Sequence, residues 1–192
     1  KNLKLTAKGT GFFKSGIDLQ YLYNNKTKTS VAGKNKTTSS LTTDFFQKYL
    51  FIRSTEAFKN HLKDLGIANQ VRLSRADGRV CFAIGEASRE KLTPQIWIDQ
   101  DEFILRKIRL PSEVEIELSD VYPAGKDLFI AKTQTINWAG IQVVIKVKSV
   151  TTKTGVTLSS FYPQNLEHPS EMTFANKSTL TEAIDQFYKR FR

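Results

Sequence analysis

The sequence predicts an α+β fold: a large, curved, mostly antiparallel sheet covered by helices. Three observations carry this. Strand-like runs with turn signals between them follow one another from residue 70 to residue 160. Only 44–66 and 179–191 switch to helical spacing. Strands and helices do not alternate, as a parallel sheet would require. The two apolar helical segments are the only covers available for the inner face of the sheet. The 192 residues suit one domain spanning 1–192.

Residues 3–14, rich in threonine and aromatics, read as a first strand, and Ser15-Gly16 is a turn signal. Ile17, Leu19, Tyr21 and Tyr23 alternate with Asp18, Gln20, Leu22 and Asn24, which predicts a half-buried strand. Residues 24–40 are polar and read as a hairpin or loop, with short strands around 27–32 and 36–42. Asp44 with Gln47 resembles a capping box, and Phe45, Phe46, Tyr49 and Leu50 follow at helical spacing. After a break near Arg53-Ser54, Ala57, Phe58, His61, Leu62 and Leu65 form one stripe. Gly66 then stands where a helix-ending glycine belongs. The segment 44–66 is therefore two short helices or one kinked helix.

Asp77-Gly78 signals a type I′ hairpin that sets Leu73 opposite Phe82, Val71 opposite Ile84 and Arg75 opposite Val80. Strands at 94–99 and 103–110 flank an acidic turn, Asp99 to Glu102. A three-residue loop, 111–113, then pairs Leu110 with Val114 and Ile108 with Ile116 on one face. It sets Arg109 against Glu115 and Lys107 against Glu117 on the other. Further strands are expected at 128–132, 141–150 and 156–160. Thr179 and Glu182 cap a last helix whose stripe is Leu180, Ala183, Ile184, Phe187, Tyr188 and Phe191.

The net charge of +10 invites a nucleic-acid reading. Its distribution argues otherwise. Residues 1–43 hold eight lysines against one aspartate and no arginine, whereas 111–192 are neutral. Arginine is the preferred reader of bases and phosphates, and Lys107 and Arg109 have glutamate partners. A solvated, solubilising or anion-facing N-terminal segment, with no nucleic-acid partner, is the expectation. Three Asn-x-Ser/Thr triplets, at Asn25, Asn35 and Asn176, carry little weight in so threonine-rich a chain.

One cysteine, Cys81, excludes an intrachain disulfide framework, and two histidines, His61 and His168, leave little for metal chemistry. His61 falls on an apolar stripe and is expected to be packed, not catalytic. Asp99, Asp101 and Glu102 lack the glycine and distant glutamate of an EF-hand loop, so they read as a turn. No run reaches the roughly 18 apolar residues of a membrane-spanning helix. The chain opens at Lys1 on strand-like sequence, so a removed leader or a trimmed start is expected.

Pro94, Ile96, Trp97, Ile98, Asp99, Asp101, Phe103 and Arg106 form a short pattern within 71–110. It resembles the outer-membrane lipoprotein-sorting family, the LolA/LolB-like superfamily. The resemblance implies an unclosed antiparallel half-barrel with a helical lid, no catalysis, no metal and no cofactor. It also implies a periplasmic place, outer-membrane associated in some members, and acyl chains of lipoproteins or other lipid as ligand. The early-strand arginine that members associate with lid closure has no counterpart; Lys26 and Lys28 occupy that region.

The function expected is that of a lipid or lipoprotein carrier, a monomer that meets membrane-bound transport proteins. Its apolar cavity would be lined by Phe45, Phe46, Tyr49, Leu50, Phe58 and Leu62 from the lid, and by Leu73, Phe82 and Trp97 from the sheet. The alternative is a sensor or protein-interaction module whose sheet is filled by its own side chains.

Overall fold

A computed structural model describes residues 3–8, 18–23, 27–32, 35–40, 52, 54–88, 90–111, 114–125, 128–138, 140–151, 155 and 157–165. The chain divides into two compact units. One is Lys1–Ile52 with Lys153–Arg192; the other is Arg53–Thr152.

The first unit holds a four-stranded antiparallel meander: β1 (Leu3–Lys8), β2 (Asp18–Tyr23), β3 (Thr27–Ala32) and β4 (Asn35–Ser40). Burial of β2 exceeds the expectation from its alternation, because Gln20, Tyr21, Leu22 and Tyr23 are all buried. Leu22 packs against Phe161. Tyr21 and Tyr23 lie under Lys28, whose ammonium is 4.7 and 5.5 Å from their ring centres. Lys28 is therefore not part of a solvated loop: it is a buried strand residue. The segment expected as a strand at 156–160 is instead a 3-10 turn, Leu158–Phe161. There the Thr157 hydroxyl lies within hydrogen-bond distance of the Ser159 and Ser160 hydroxyls, and Asn165 donates to the Ser159 carbonyl. Such local bonds compete with a ladder.

The second unit starts with α1 (Thr55–Asp64). Ser54 Oγ accepts from Ala57 N at its start. At its end Ile67 N donates to Leu62 O and Gly66 N to Lys63 O, with Gly66 at φ 66°, which is a Schellman close. His61 and Leu65 of the predicted stripe are buried, and Phe58 and Leu62 are half-buried.

A seven-stranded antiparallel meander follows: β5 (Val71–Ala76), β6 (Arg79–Ile84), β7 (Gln95–Asp99), β8 (Leu105–Arg109), β9 (Glu115–Gly125), β10 (Leu128–Trp138) and β11 (Ile141–Lys146), in spatial as well as chain order. The large unclosed sheet and the helix before its first hairpin agree with the sequence reading. The part of the expected helical segment 44–66 that precedes Ile52 lies outside the described residues, as does the helix expected at 179–191, and so do Phe45, Phe46, Tyr49 and Leu50. α1 is the one α-helix among the described residues.

Both hairpin registers hold. Asp77 (φ 51°) and Gly78 (φ 73°) make the type I′ turn, with Leu73 opposite Phe82 and Val71 opposite Ile84. Leu110 N donates to Val114 O, Ile108 faces Ile116 and Arg109 faces Glu115. Carried across the sheet, this register lines up Val71, Ile84, Ile96, Ile108, Ile116, Ile136 and Val143, one β-branched residue from each strand, on one face. The four central members are buried. One face filled at one pleat height by a single shape of side chain is what pins the register of so wide a sheet.

Gly85 (φ 127°) ends β6 where the chain crosses β7 closely. An added Cβ would stand 2.6 Å from the Pro94 carbonyl oxygen and 2.7 Å from Gln95 Cγ. Gly85→Ala is expected to destabilise the protein by about 2 kcal/mol, from backbone strain and overpacking together. A thermal melt reads this, and an unchanged midpoint would refute the close approach.

Candidate functional site

The two faces of the seven-stranded sheet differ in chemistry. On one, Trp97 is buried with Ala76, Cys81 and Ala83. Its Nε1–H donates to Ser74 Oγ at 3.3 Å. Lys107 Nζ and the Arg109 guanidinium carbon lie 5.5 and 5.2 Å from its ring. Both cations are neutralised as the sequence predicts. Lys107 Nζ lies 2.8 Å from Glu115 and 3.0 Å from Glu117, and Arg109 Nε donates to Glu115 at 2.6 Å. Burial pushes the Glu115 carboxyl up, but Lys107 and Arg109 outweigh it and hold it below the usual carboxylate range. Around Trp97 this face is filled and internally paired.

Trp97 pairs with Ala83, whereas Leu73, Phe82 and Ile98 pair in line on the other face. Trp97 therefore cannot line a cavity with Leu73 and Phe82, because adjacent strand residues point to opposite sides. That part of the expected lining is corrected.

The other face runs from the buried central isoleucines to an open end at β5 and β6. Val71 and Leu73 are 61% and 64% exposed, and Val80 and Phe82 stand beside them. Phe103, 75% exposed, stacks over Phe82 with ring centres 6.4 Å apart. Five apolar side chains thus form an open surface continuous with the sheet's apolar row. Of the expected sheet residues, Leu73 and Phe82 are here. Val71 and Val80 lay on the predicted apolar side of the same hairpin.

The sequence predicts Phe103 as the first residue of a strand. It belongs instead to the turn, at φ 54°, a left-handed backbone that costs an aromatic residue roughly 1–2 kcal/mol. Asp99 sets that turn. Its Oδ1 accepts from Asp101 N and Glu102 N at 3.0 and 3.1 Å. Its Oδ2 accepts from Arg106 Nε at 3.2 Å, and Arg79 approaches to 3.5 Å. Its backbone N–H and C=O close the loop with Ile104 and Phe103. Burial pushes the Asp99 carboxyl up, but the two backbone donors and Arg106 more than compensate and leave it below the ordinary carboxylate range. Its oxygens are committed to N–H donors, so the acidic turn is a scaffold that displays Phe103, not a cation cage. Among the described residues no acidic, histidine and cysteine cluster has metal-binding geometry. Cys81 is fully buried and its thiol is pushed up by that burial, which keeps it protonated and a poor nucleophile.

A domain from Vibrio parahaemolyticus, provisionally described as an outer membrane lipoprotein-sorting protein domain, has a similar crystal structure. The match covers 81% of this chain and 73% of that one, with a TM-score of 0.50 and 10% sequence identity. The fold is LolA-like. No family model and no curated protein matches the sequence. At this identity the likeness is one of fold. The residues of the sequence resemblance take structural roles within it: Ile96 fills the apolar row, Trp97 the opposite face, and Asp99 and Arg106 clamp the turn that carries Phe103.

Proposed function

We propose that the chain is a non-enzymatic lipid- or lipoprotein-binding carrier of the bacterial envelope, acting in the periplasm as a monomer. An acyl chain would lie along the open end of the apolar face, on Val71, Leu73, Val80, Phe82 and Phe103. α1, through Phe58 and Leu62, would serve as part of a movable cover. The observation that carries this reading is the open apolar surface, since a monomeric protein rarely leaves so many large apolar side chains together in water. Covering one such side chain is worth roughly 1.5–3 kcal/mol, so a few suffice for useful affinity. The LolA-like fold supports the same reading.

A second reading, a non-carrier sensor or interaction module, is favoured by one specific observation: the central isoleucines are already buried by protein atoms. A fluorescent fatty acid separates the two. The carrier reading expects saturable binding that Leu73→Asp and Phe103→Asp each weaken at least tenfold, with unfolding midpoints near wild type because both residues are exposed. Absence of saturable binding favours the filled module.

A further inference from the structure

Among the described residues, the outer edge of β5 carries a second kind of unsatisfied chemistry. β5 is the last strand of its sheet. The Gly85 N–H to Gln70 carbonyl bond, 2.8 Å, fixes the phase of the β5–β6 ladder. Gln70, Arg72, Ser74 and Ala76 sit at the hydrogen-bonded positions facing β6. Val71, Leu73 and Arg75 alternate with them and turn both N–H and C=O to the open side. Their side chains share one face of the sheet and are exposed.

Natural edge strands are usually blunted by charged side chains, most often lysine, by proline, by a bulge or by a covering segment. β5, Val-Arg-Leu-Ser-Arg-Ala, has no lysine or proline, and its six pairs run in unbroken register. Its charge is also one-sided, since residues 71–84 hold three arginines against one aspartate. Arg72 is held by Gln95 at 2.7 Å on the face of Trp97, and Arg79 reaches Asp99 and Glu102. Arg75, exposed on the same face of β5 as Val71 and Leu73 and opposite Val80, makes no ion pair among the described residues.

We propose that the outer edge of β5 is the docking site for one extended, acidic-apolar peptide segment of a partner protein. The segment would join the sheet as an added strand, with apolar residues beside Val71 and Leu73 and a carboxylate beside Arg75. This goes beyond the carrier reading and does not rest on it. An acyl chain can cover side chains but offers no N–H and C=O to pair with the edge. A second copy of β5, paired antiparallel, would set Arg75 against Val71 and leave both arginines without a carboxylate. The charge therefore favours the acidic peptide.

The probe is a capped synthetic heptapeptide, Glu-Thr-Val-Thr-Val-Thr-Glu, whose terminal carboxylates can meet Arg75 in either strand direction. Titrated into the full chain and followed by amide hydrogen exchange, it is expected to slow exchange at Val71, Leu73 and Arg75 at least tenfold. Arg72 and Ser74, already bonded to β6, stay as they were. The same peptide with lysine at both ends is expected to bind about tenfold more weakly. Leu73→Pro removes an outward N–H and no bond to β6, while its ring holds φ at about −65°; in a variant whose unfolding midpoint matches that of Leu73→Ala, it should lose about tenfold more affinity than Leu73→Ala. The proposal fails if the peptide does not bind at millimolar concentration, or if binding leaves the alternate amides unprotected. It also fails if those amides become protected without peptide as the protein dimerises, which makes a second copy the occupant. A fatty acid that binds while the peptide does not overturns this inference and leaves the carrier reading standing; the converse result does the opposite.

Discussion

Asp99→Asn is expected to lower stability by about 3 kcal/mol, the scale for removing one partner of a buried ion pair. Asp99 is 1% exposed and Arg106 4%, so solvent does not screen their interaction. The asparagine would leave the Arg106 charge in place with only Glu102, at 2.8 Å and half-exposed, to answer it. The contacts of Arg79 are exposed and add little. The carboxyl is held below its ordinary range when folded. Its stabilisation is therefore fully present above the unfolded carboxylate value near 4 and fades as pH falls through the folded value. Urea unfolding should accordingly show wild type losing stability below about pH 4, with a shallower acid slope in Asp99→Asn. A loss under about 1 kcal/mol at neutral pH would contradict the clamp. Because the same turn holds Phe103 in its left-handed conformation, the variant should also weaken acyl binding beyond its effect on stability.

Ile108→Ala should cost about 3 kcal/mol, within the ~2–5 kcal/mol range for truncating a buried isoleucine. Ile108 is fully buried on a strand that lies inside the sheet, between Ile96 and Ile116 in the apolar row. The neighbouring strands cannot close onto a missing side chain without shifting their registers, so the cavity persists. Val71→Ala, in the same row at the open edge, should fall within about 0.5 kcal/mol of wild type because its side chain is already in water. Equal effects at the two positions, read by urea midpoints, would contradict a row that is filled at its centre and open at its end.

Much of this architecture is legible in the sequence because it is local. Asp77-Gly78 allows one turn type, and that turn fixes every β5–β6 pair. The 111–113 loop likewise fixes Lys107 and Arg109 against their glutamates. The break near Arg53-Ser54 and the glycine at Gly66 mark the two ends of α1 where the structure has them. Other features depend on partners distant in the chain. Leu22 on β2 packs against Phe161, far along the chain. The side on which Trp97 lies follows from the pairing of β6 with β7, across ten residues of loop that no turn motif spans. Phe103 looked like the start of a strand because it precedes an alternating run; only the Asp99 carboxylate, bonding forward to the backbone, reveals it as a turn residue. Of the expected site residues, Leu73 and Phe82 lie together on the open face, Trp97 lies on the other, and Phe58 and Leu62 lie on α1.

Native mass spectrometry of the protein, purified gently from bacterial envelope material, tests the carrier reading most directly. The account predicts a population carrying the mass of one acyl-bearing lipid or lipopeptide, lost in Leu73→Asp, with a melting temperature that rises when lipid is added back. A protein that flies as the bare chain, and whose melting temperature ignores added lipid, would contradict it.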